Sequence, residues 1–159
     1  MEDTPDEILL KKSTGKLQLQ TPGRGSYLPY IRAIVTDLAR KMGFPEDEVA
    51  KIEMAVDEAC SNVVEHAYAP NKEWRWHRDP EIRLNIRLED SRLIIEINDH
   101  GESFDFTSYQ PKTIEDRVRA MNSGGYGIFI MRQFMDEVQY SSSAETGNTL
   151  RLVKYLKKP

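Results

Sequence analysis

A single cysteine, Cys60, stands in the 159 residues, so the chain can close no disulfide on itself. That sparing use is the one expected of a reduced intracellular compartment. Long apolar runs are missing as well. Ile8 to Leu10 is too short for the apolar region of a signal peptide, and no stretch approaches the roughly 18 apolar residues of a membrane span. Nor is positive charge in excess. The 22 Lys and Arg are outnumbered by 26 Asp and Glu, and the net charge of −4 argues against nucleic acid as the main partner. Internal repeats and low-complexity tracts are also absent. What remains is the expectation of one soluble, cytoplasmic domain with no membrane or direct nucleic-acid partner, long enough to bury a core without staples.

What is present reads as α+β. Residues 1–12 are mixed polar and read as a flexible N-terminal arm, which leaves a single domain over 13–159. Lys16 to Gln20 alternates polar and apolar residues as a half-buried strand does. The spacing predicts a helix over 26–42, with Ile31, Ile34, Val35, Leu38 and Met42 facing inward. Ser26 is its expected N-cap and Gly43 its terminator.

The stretch from Glu53 to Tyr68 is the feature around which the rest is organised. Ile52, Ala55, Val56, Ala59 and Val63 form a helical apolar stripe, and Cys60 lies near it as a small hydrophobe. Glu58 and Asn62 stand one turn apart on the flank of that stripe. A carboxylate and an amide at the rim of a core either line a half-shielded pocket or form the polar shoulder of an amphipathic helix.

Ile82, Leu84, Ile86 and Leu88 alternate, and after Glu89-Asp90-Ser91 so do Leu93, Ile95 and Ile97, which reads as an antiparallel hairpin. Asp99 continues the second apolar face, because strand side chains repeat every two residues. A carboxylate there is costly unless a protein group or a ligand donates a hydrogen bond to it. A short helix is expected over 114–120, and a longer one follows Gly124-Gly125-Tyr126-Gly127. Val138 to Tyr140 and Thr149 to Leu156 read as strands, with Leu150, Leu152 and Lys154 on one face. Helices covering one face of a largely antiparallel sheet account for this order.

Three separated elements can carry chemistry: Glu58-x-x-x-Asn62 on a helix, Asp99-x-Gly101 at a strand end, and Gly125-x-Gly127 at a helix start. A glycine turn feeding a helix offers exposed amides and a positive dipole end to an anion. In this order the three resemble the N, G1 and G2 boxes of the GHKL ATPase superfamily. The strings EACSNVVEHAY, GESFDF and GGYGIFIMRQFMDEV make the chain similar to the anti-sigma-factor serine kinases of bacterial partner-switching modules. The resemblance runs from about Lys16 to Leu156.

It implies a two-layer α/β sandwich of the Bergerat type, ATP and Mg2+ as cofactors, and phosphorylation of a protein serine. By position, Asn62 matches the metal-coordinating asparagine, and Glu58 the glutamate taken as general base. Asp99 matches the acceptor of the adenine amino group, which would supply the donor its carboxylate wants. Gly101 would let the base approach the backbone, Gly125 and Gly127 would cradle phosphate, and Thr149 matches a threonine near the adenine pocket. Relatives carry an arginine early in the first long helix that handles the substrate serine; Arg32 is the nearest candidate, with Pro29 at the alternative alignment.

The implied partners are a sigma factor and a STAS-domain anti-anti-sigma factor, with homodimerisation through the sheet. Ser103 replaces a frequent glycine of the G1 box. Arg117 and Arg119 either meet the phosphates or lie on a solvated helix face. The loop with Trp74 to His77 either anchors a partner or folds back on the sheet, and His66 reads as structural. Two other readings stay open: a nucleotide-gated regulatory binding module without physiological kinase activity, and the catalytic fragment of a sensor kinase.

Overall fold

The computed structural model describes residues 15–67, 80–103, 106, 113–123 and 126–158. The expected arm over 1–12, the Trp74 to His77 loop, Gly124 and Gly125 lie outside the described residues. Among the described residues, five strands form one sheet: β1 (Gly15–Pro22), β2 (Glu81–Glu89), β3 (Arg92–Asp99), β4 (Glu137–Ser143) and β5 (Gly147–Tyr155). Their order is β1-β2-β3-β5-β4, and every neighbouring pair is antiparallel. The helices are α1 (Leu28–Met42), α2 (Glu46–Asn62), α3 (Ile114–Ser123) and α4 (Tyr126–Phe134). The α+β fold expected from the residue pattern, helices covering one face of a largely antiparallel sheet, is the fold observed, and so is the two-layer sandwich that the resemblance implied.

The boundaries follow local chemistry. Three carboxylates, Glu46, Asp47 and Glu48, occupy the first turn of α2, where the helix dipole favours negative charge. Gly43 ends α1 in the left-handed region at φ 94°, its N–H reaching the carbonyls of Ala39 and Arg40. The start of α1 differs from expectation. Gly25–Tyr27 is a single 3-10 turn, Ser26 does not cap, and the cap position falls on Tyr27. Pro29 explains the shift, since its fixed φ and missing N–H suit the first helical turn. In α3, Asp116 N–H donates to Thr113 Oγ1 at 3.0 Å and Asp116 Oδ2 accepts from Thr113 N–H at 3.2 Å, a reciprocal cap.

One face of the sheet carries the core. Ile82, Leu84 and Ile86 of β2, Leu93, Ile95 and Ile97 of β3 and Leu152 of β5 are fully buried, packed with Ile31 and Val35 of α1, Ile52 and Val56 of α2 and Met131 of α4. Each such side chain contributes about 1.5–3 kcal/mol on burial. The central helix is α2, which packs on both α1 and α4. Cys60 sits inside this layer, and burial pushes its thiol up to about 12, leaving it inert at neutral pH.

The other face is polar. Gln18 Nε2 donates to Asn85 Oδ1, Asn85 Nδ2 to Asn98 Oδ1, and Asn98 Nδ2 to Thr149 Oγ1, at 2.8, 2.8 and 2.7 Å. This chain of side-chain hydrogen bonds crosses four strands. A second row runs Arg87, Ile94, Val153, Glu137, with the two apolar residues fully buried between the charged ones. Arg151 lies 3.8 Å from Glu96 and 3.3 Å from Glu137.

Lys154 interrupts the apolar face of β5 and is nonetheless buried. Its Nζ pairs with Glu48 Oε2 at 2.7 Å and donates to the Phe134 carbonyl at 2.7 Å, so it satisfies the C-terminal end of α4 while tying it to the start of α2. The Lys154 and Lys51 ammonium groups hold the Glu48 carboxyl at about 2. A folded-state pKa below the unfolded one gives stability that is present above about pH 4.3 and lost as pH falls through about 2. Glu48→Gln is therefore expected to cost on the order of 2 kcal/mol at pH 7, a deficit that shrinks between pH 4.3 and 2. Urea midpoints of both proteins across that range test it; a pH-independent difference would remove the pair as its cause.

Candidate active site

The site is assembled where the C-terminal end of α2, the end of β3 and the start of α4 meet. On α2 the wheel places Glu58 and Asn62 toward α4. A Cβ added to Gly127 would lie 2.6 Å from Glu58 Oε2 and 3.5 Å from Asn62 Nδ2, so these three residues are in contact. The glycine of α4 thus leaves room for the Glu58 carboxylate. No described residue donates to that carboxylate, and burial, followed by the nearby charges of Asp57 and Glu65, raises its pKa above the ordinary glutamate range. Asn62 is 7% exposed, and its side-chain amide has no hydrogen-bond partner among the described residues.

Beyond Asn62 the helix does not simply stop. Val63–Ala67 is wound as a π turn, a local form frequent at functional sites. It delivers the Ala67 carbonyl to the loop after β3, where it accepts from Glu102 N–H at 3.0 Å. A Cβ on Gly101 would collide with the Ala67 carbonyl. What the glycine must clear is therefore the end of the helix, a reason different from the close approach of a base expected from the sequence.

Asp99 emerges on the core face, as strand parity predicts, and is 5% exposed. Both of its donors reach one oxygen. Asn148 Nδ2 lies 2.7 Å and Gly101 N–H 2.9 Å from Oδ1, while no described residue donates to Oδ2. Burial raises the Asp99 pKa, and the bonds from Asn148 and Gly101 pull the other way. A half-satisfied buried carboxylate is an acceptor waiting for a donor.

Thr149 does not join this group. Register pairs Asp99 with Asn148 and Asn98 with Thr149, so Thr149 points to the opposite face and accepts from Asn98. Asn148, which sequence reasoning missed, fills the place beside Asp99 and also donates to the Gly101 carbonyl at 3.0 Å. The parity of β5 contained the signal, since Asn148 shares a face with Leu150 and Leu152. Gly147 makes the approach possible: its φ of +78° turns the chain, and a Cβ there would strike the Asp99 carbonyl and the His100 ring.

Arg32, on α1, does not reach toward open space. Its Nη1 donates to Asp57 Oδ1 at 2.6 Å, with Glu53 at 4.0 Å from Nε. His66 is exposed on the π turn and Arg119 on α3; Gly125 and the Arg117 side chain lie outside the described residues. Phe106 is buried, stacked on Tyr140 with ring centroids 5.6 Å apart, and the Arg132 guanidinium sits 4.9 Å above its ring.

Residues 21–154 match the histidine kinase-like ATPase domain. The chain belongs to that family. This histidine kinase-like ATPase domain is 31% identical over 151 residues to the serine-protein kinase RsbW of Bacillus subtilis, covering 92% of the chain and 89% of that protein. The RsbW of Bacillus licheniformis is 30% identical over the same shares. Among solved structures, the RsbU and RsbW domains of a Mycobacterium tuberculosis protein superpose with a TM-score of 0.64 at 19% identity; the match covers 92% of this chain and 34% of that longer one. The SiaB–SiaC complex from Pseudomonas aeruginosa gives a TM-score of 0.61 at 15% identity, over 86% and 88% of the two chains. Both share the fold of this ATPase domain. No helix among the described residues is long and apolar enough to cross a membrane.

Proposed function

We propose that this ATPase domain is a protein serine kinase that transfers the γ-phosphoryl group of ATP to a serine of a STAS-domain antagonist and, when that antagonist is phosphorylated, sequesters a sigma factor. The observation that carries the reading is the Glu58 carboxylate, which has no donor among the described residues, is raised in pKa, and is seated against Gly127 beside Asn62. The relatives named serine-protein kinase RsbW support it.

Asp99 Oδ2 accepts from the adenine amino group, with Oδ1 held by Asn148 and Gly101. The amides at the start of α4 face the phosphates. Asn62, whose amide is otherwise unused, offers an oxygen suited to Mg2+. The ion would supply neutralisation of phosphate charge. Glu58 takes the proton of the serine hydroxyl as its Oγ bonds to the γ-phosphorus and the bond to the bridging oxygen breaks, releasing ADP. A homodimer formed through the polar face of the sheet is part of the same proposal.

The test is to incubate the chain with γ-labelled ATP and a cognate STAS-domain protein. Label on one serine of that protein is the expected result. Tight ATP binding without any labelled serine would favour the nucleotide-gated binding module instead.

A further inference from the structure

The core face of the sheet ends, at the pocket, in a row of three polar side chains. Register sets Ser142 of β4 opposite Asn148 of β5, and Asn148 opposite Asp99 of β3. Residues directly opposite one another in a ladder share a face, so the three stand side by side. Ser142 is exposed on the edge strand, whereas Asn148 and Asp99 are buried. The row leads from the surface to the carboxylate assigned to the base.

Its hydrogen bonds run one way. Ser142 Oγ donates to Asn148 Oδ1 at 2.7 Å. Asn148 Nδ2 carries two N–H groups and reaches two acceptors, Asp99 Oδ1 at 2.7 Å and the Gly101 carbonyl at 3.0 Å. Turned over, the amide would set its oxygen against both of those acceptors, so only one orientation satisfies the row. Both N–H groups of Asn148 are then spent inside the protein. Its effect on a nucleotide must pass through Asp99.

What passes is a protonation state. An ionised carboxylate only accepts, whereas a protonated one also donates. Burial pushes Asp99 toward the protonated form, and the bonds from Asn148 and the Gly101 N–H push back. The charge of His100, next in the chain, acts in the same sense as these donors. From the neighbouring elements, β5 contributes the neutral Asn148, and the π turn sets the Ala67 backbone against Gly101. An adenine amino group needs the accepting form. The carbonyl that hypoxanthine presents in its place needs a donor.

We propose that Ser142 and Asn148 are positioning residues that keep Asp99 a hydrogen-bond acceptor, and that the preference of the site for adenine over an oxo purine depends on this relay. The inference rests on reading the site as one that binds ATP, and its test needs no phosphoryl transfer.

The probes are ATP and ITP, each titrated with Mg2+ into the full chain from about pH 5 to about pH 8. The ratio of the two affinities is the readout, because changes in the phosphates, in Glu58 or in overall stability act on both nucleotides alike. Wild type is expected to prefer ATP, and to lose that preference on the acid side as Asp99 is protonated. Asn148→Leu is expected to reduce the preference about tenfold, the worth of one hydrogen bond to a charged group. It should also move the loss to higher pH, since a donor that favours the ionised form is gone. Ser142→Ala is expected to shift both in the same direction and by less. Ser142→Thr keeps the hydroxyl and should behave as wild type.

Equal losses of ATP and ITP affinity in Asn148→Leu would overturn the proposal, because a purely structural role predicts them. Should that variant not fold, Ser142→Ala decides. A wild-type ratio and pH profile in it overturns the relay, as does a shift that Ser142→Thr shares. The expected shifts in a chain that labels no STAS-domain serine would sink the kinase reading and leave the relay standing. A labelled serine with unshifted ratios would do the reverse.

Discussion

A Glu58→Gln chain is expected to bind ATP and to transfer almost no phosphate. General-base catalysis contributes about 10²–10⁴-fold, and the amide keeps the shape of the side chain while losing its proton affinity. Nucleotide affinity should hold or rise slightly, since a carboxylate that repels the phosphates has become neutral. Single-turnover phosphorylation of a cognate STAS-domain protein measures the first quantity and calorimetric titration with ATP the second. The wild-type rate should also fall at acid pH with a midpoint above the ordinary glutamate range, because burial and the charges of Asp57 and Glu65 raise the Glu58 pKa. Undiminished transfer by Glu58→Gln would mean that the residue is not the base and that its unpartnered state has another explanation. A loss of transfer matched by an equal loss of ATP affinity would move Glu58 from chemistry to binding.

The second large effect is expected at Asp99. Its two internal donors both use Oδ1, so Oδ2 is the atom left for a ligand. A hydrogen bond to a charged group is worth about 1.5–3 kcal/mol, which corresponds to roughly 10–100-fold in affinity. Asp99→Asn can go further if its new N–H₂ faces the adenine amino group, setting donor against donor. The expected result is ATP affinity lowered by about 10²-fold or more, with the affinity for GTP changed far less, because guanine presents a carbonyl at that position. Parallel titrations with ATP and GTP decide it. Equal losses for the two nucleotides would show that Asp99 supports the pocket without reading the base.

Asp99 was legible from the sequence because it needed only a local rule. The apolar face of Leu93, Ile95 and Ile97 continues for one more step, and period two does the rest. Glu58 and Asn62 were legible for a similar reason, a spacing of four on a strongly patterned helix. Asn148 and Thr149 show where this ends. The family resemblance pointed to the threonine, whereas the choice between two adjacent residues depends on how β5 registers against β3, and no local pattern states that register.

The two glycines fell short in a different way. Gly101 and Gly127 stand where the sequence suggested, but the atoms they must clear belong to Ala67 and Glu58, residues 34 and 69 positions earlier in the chain. Lys154 broke the apolar alternation of β5, and only the fold reveals Glu48 and the Phe134 carbonyl as its partners. The π turn left no mark at all, since Val63 continues the same apolar stripe that precedes it. Arg32 was found as a residue but not as half of a pair, because Asp57 lies on another helix.

The chain of hydrogen bonds from Gln18 through Asn85 and Asn98 to Thr149 bears on the site from behind. Sliding β5 by one residue against β3 would exchange the faces of Asn148 and Thr149. It would also bring Asn148 in place of the hydroxyl that Asn98 now reaches. The bond between Asn98 and Thr149 therefore works as an index pin for the last strand, and it lies on the far side of the sheet from any nucleotide. The threonine absent from the pocket is the residue that keeps the pocket's asparagine facing it.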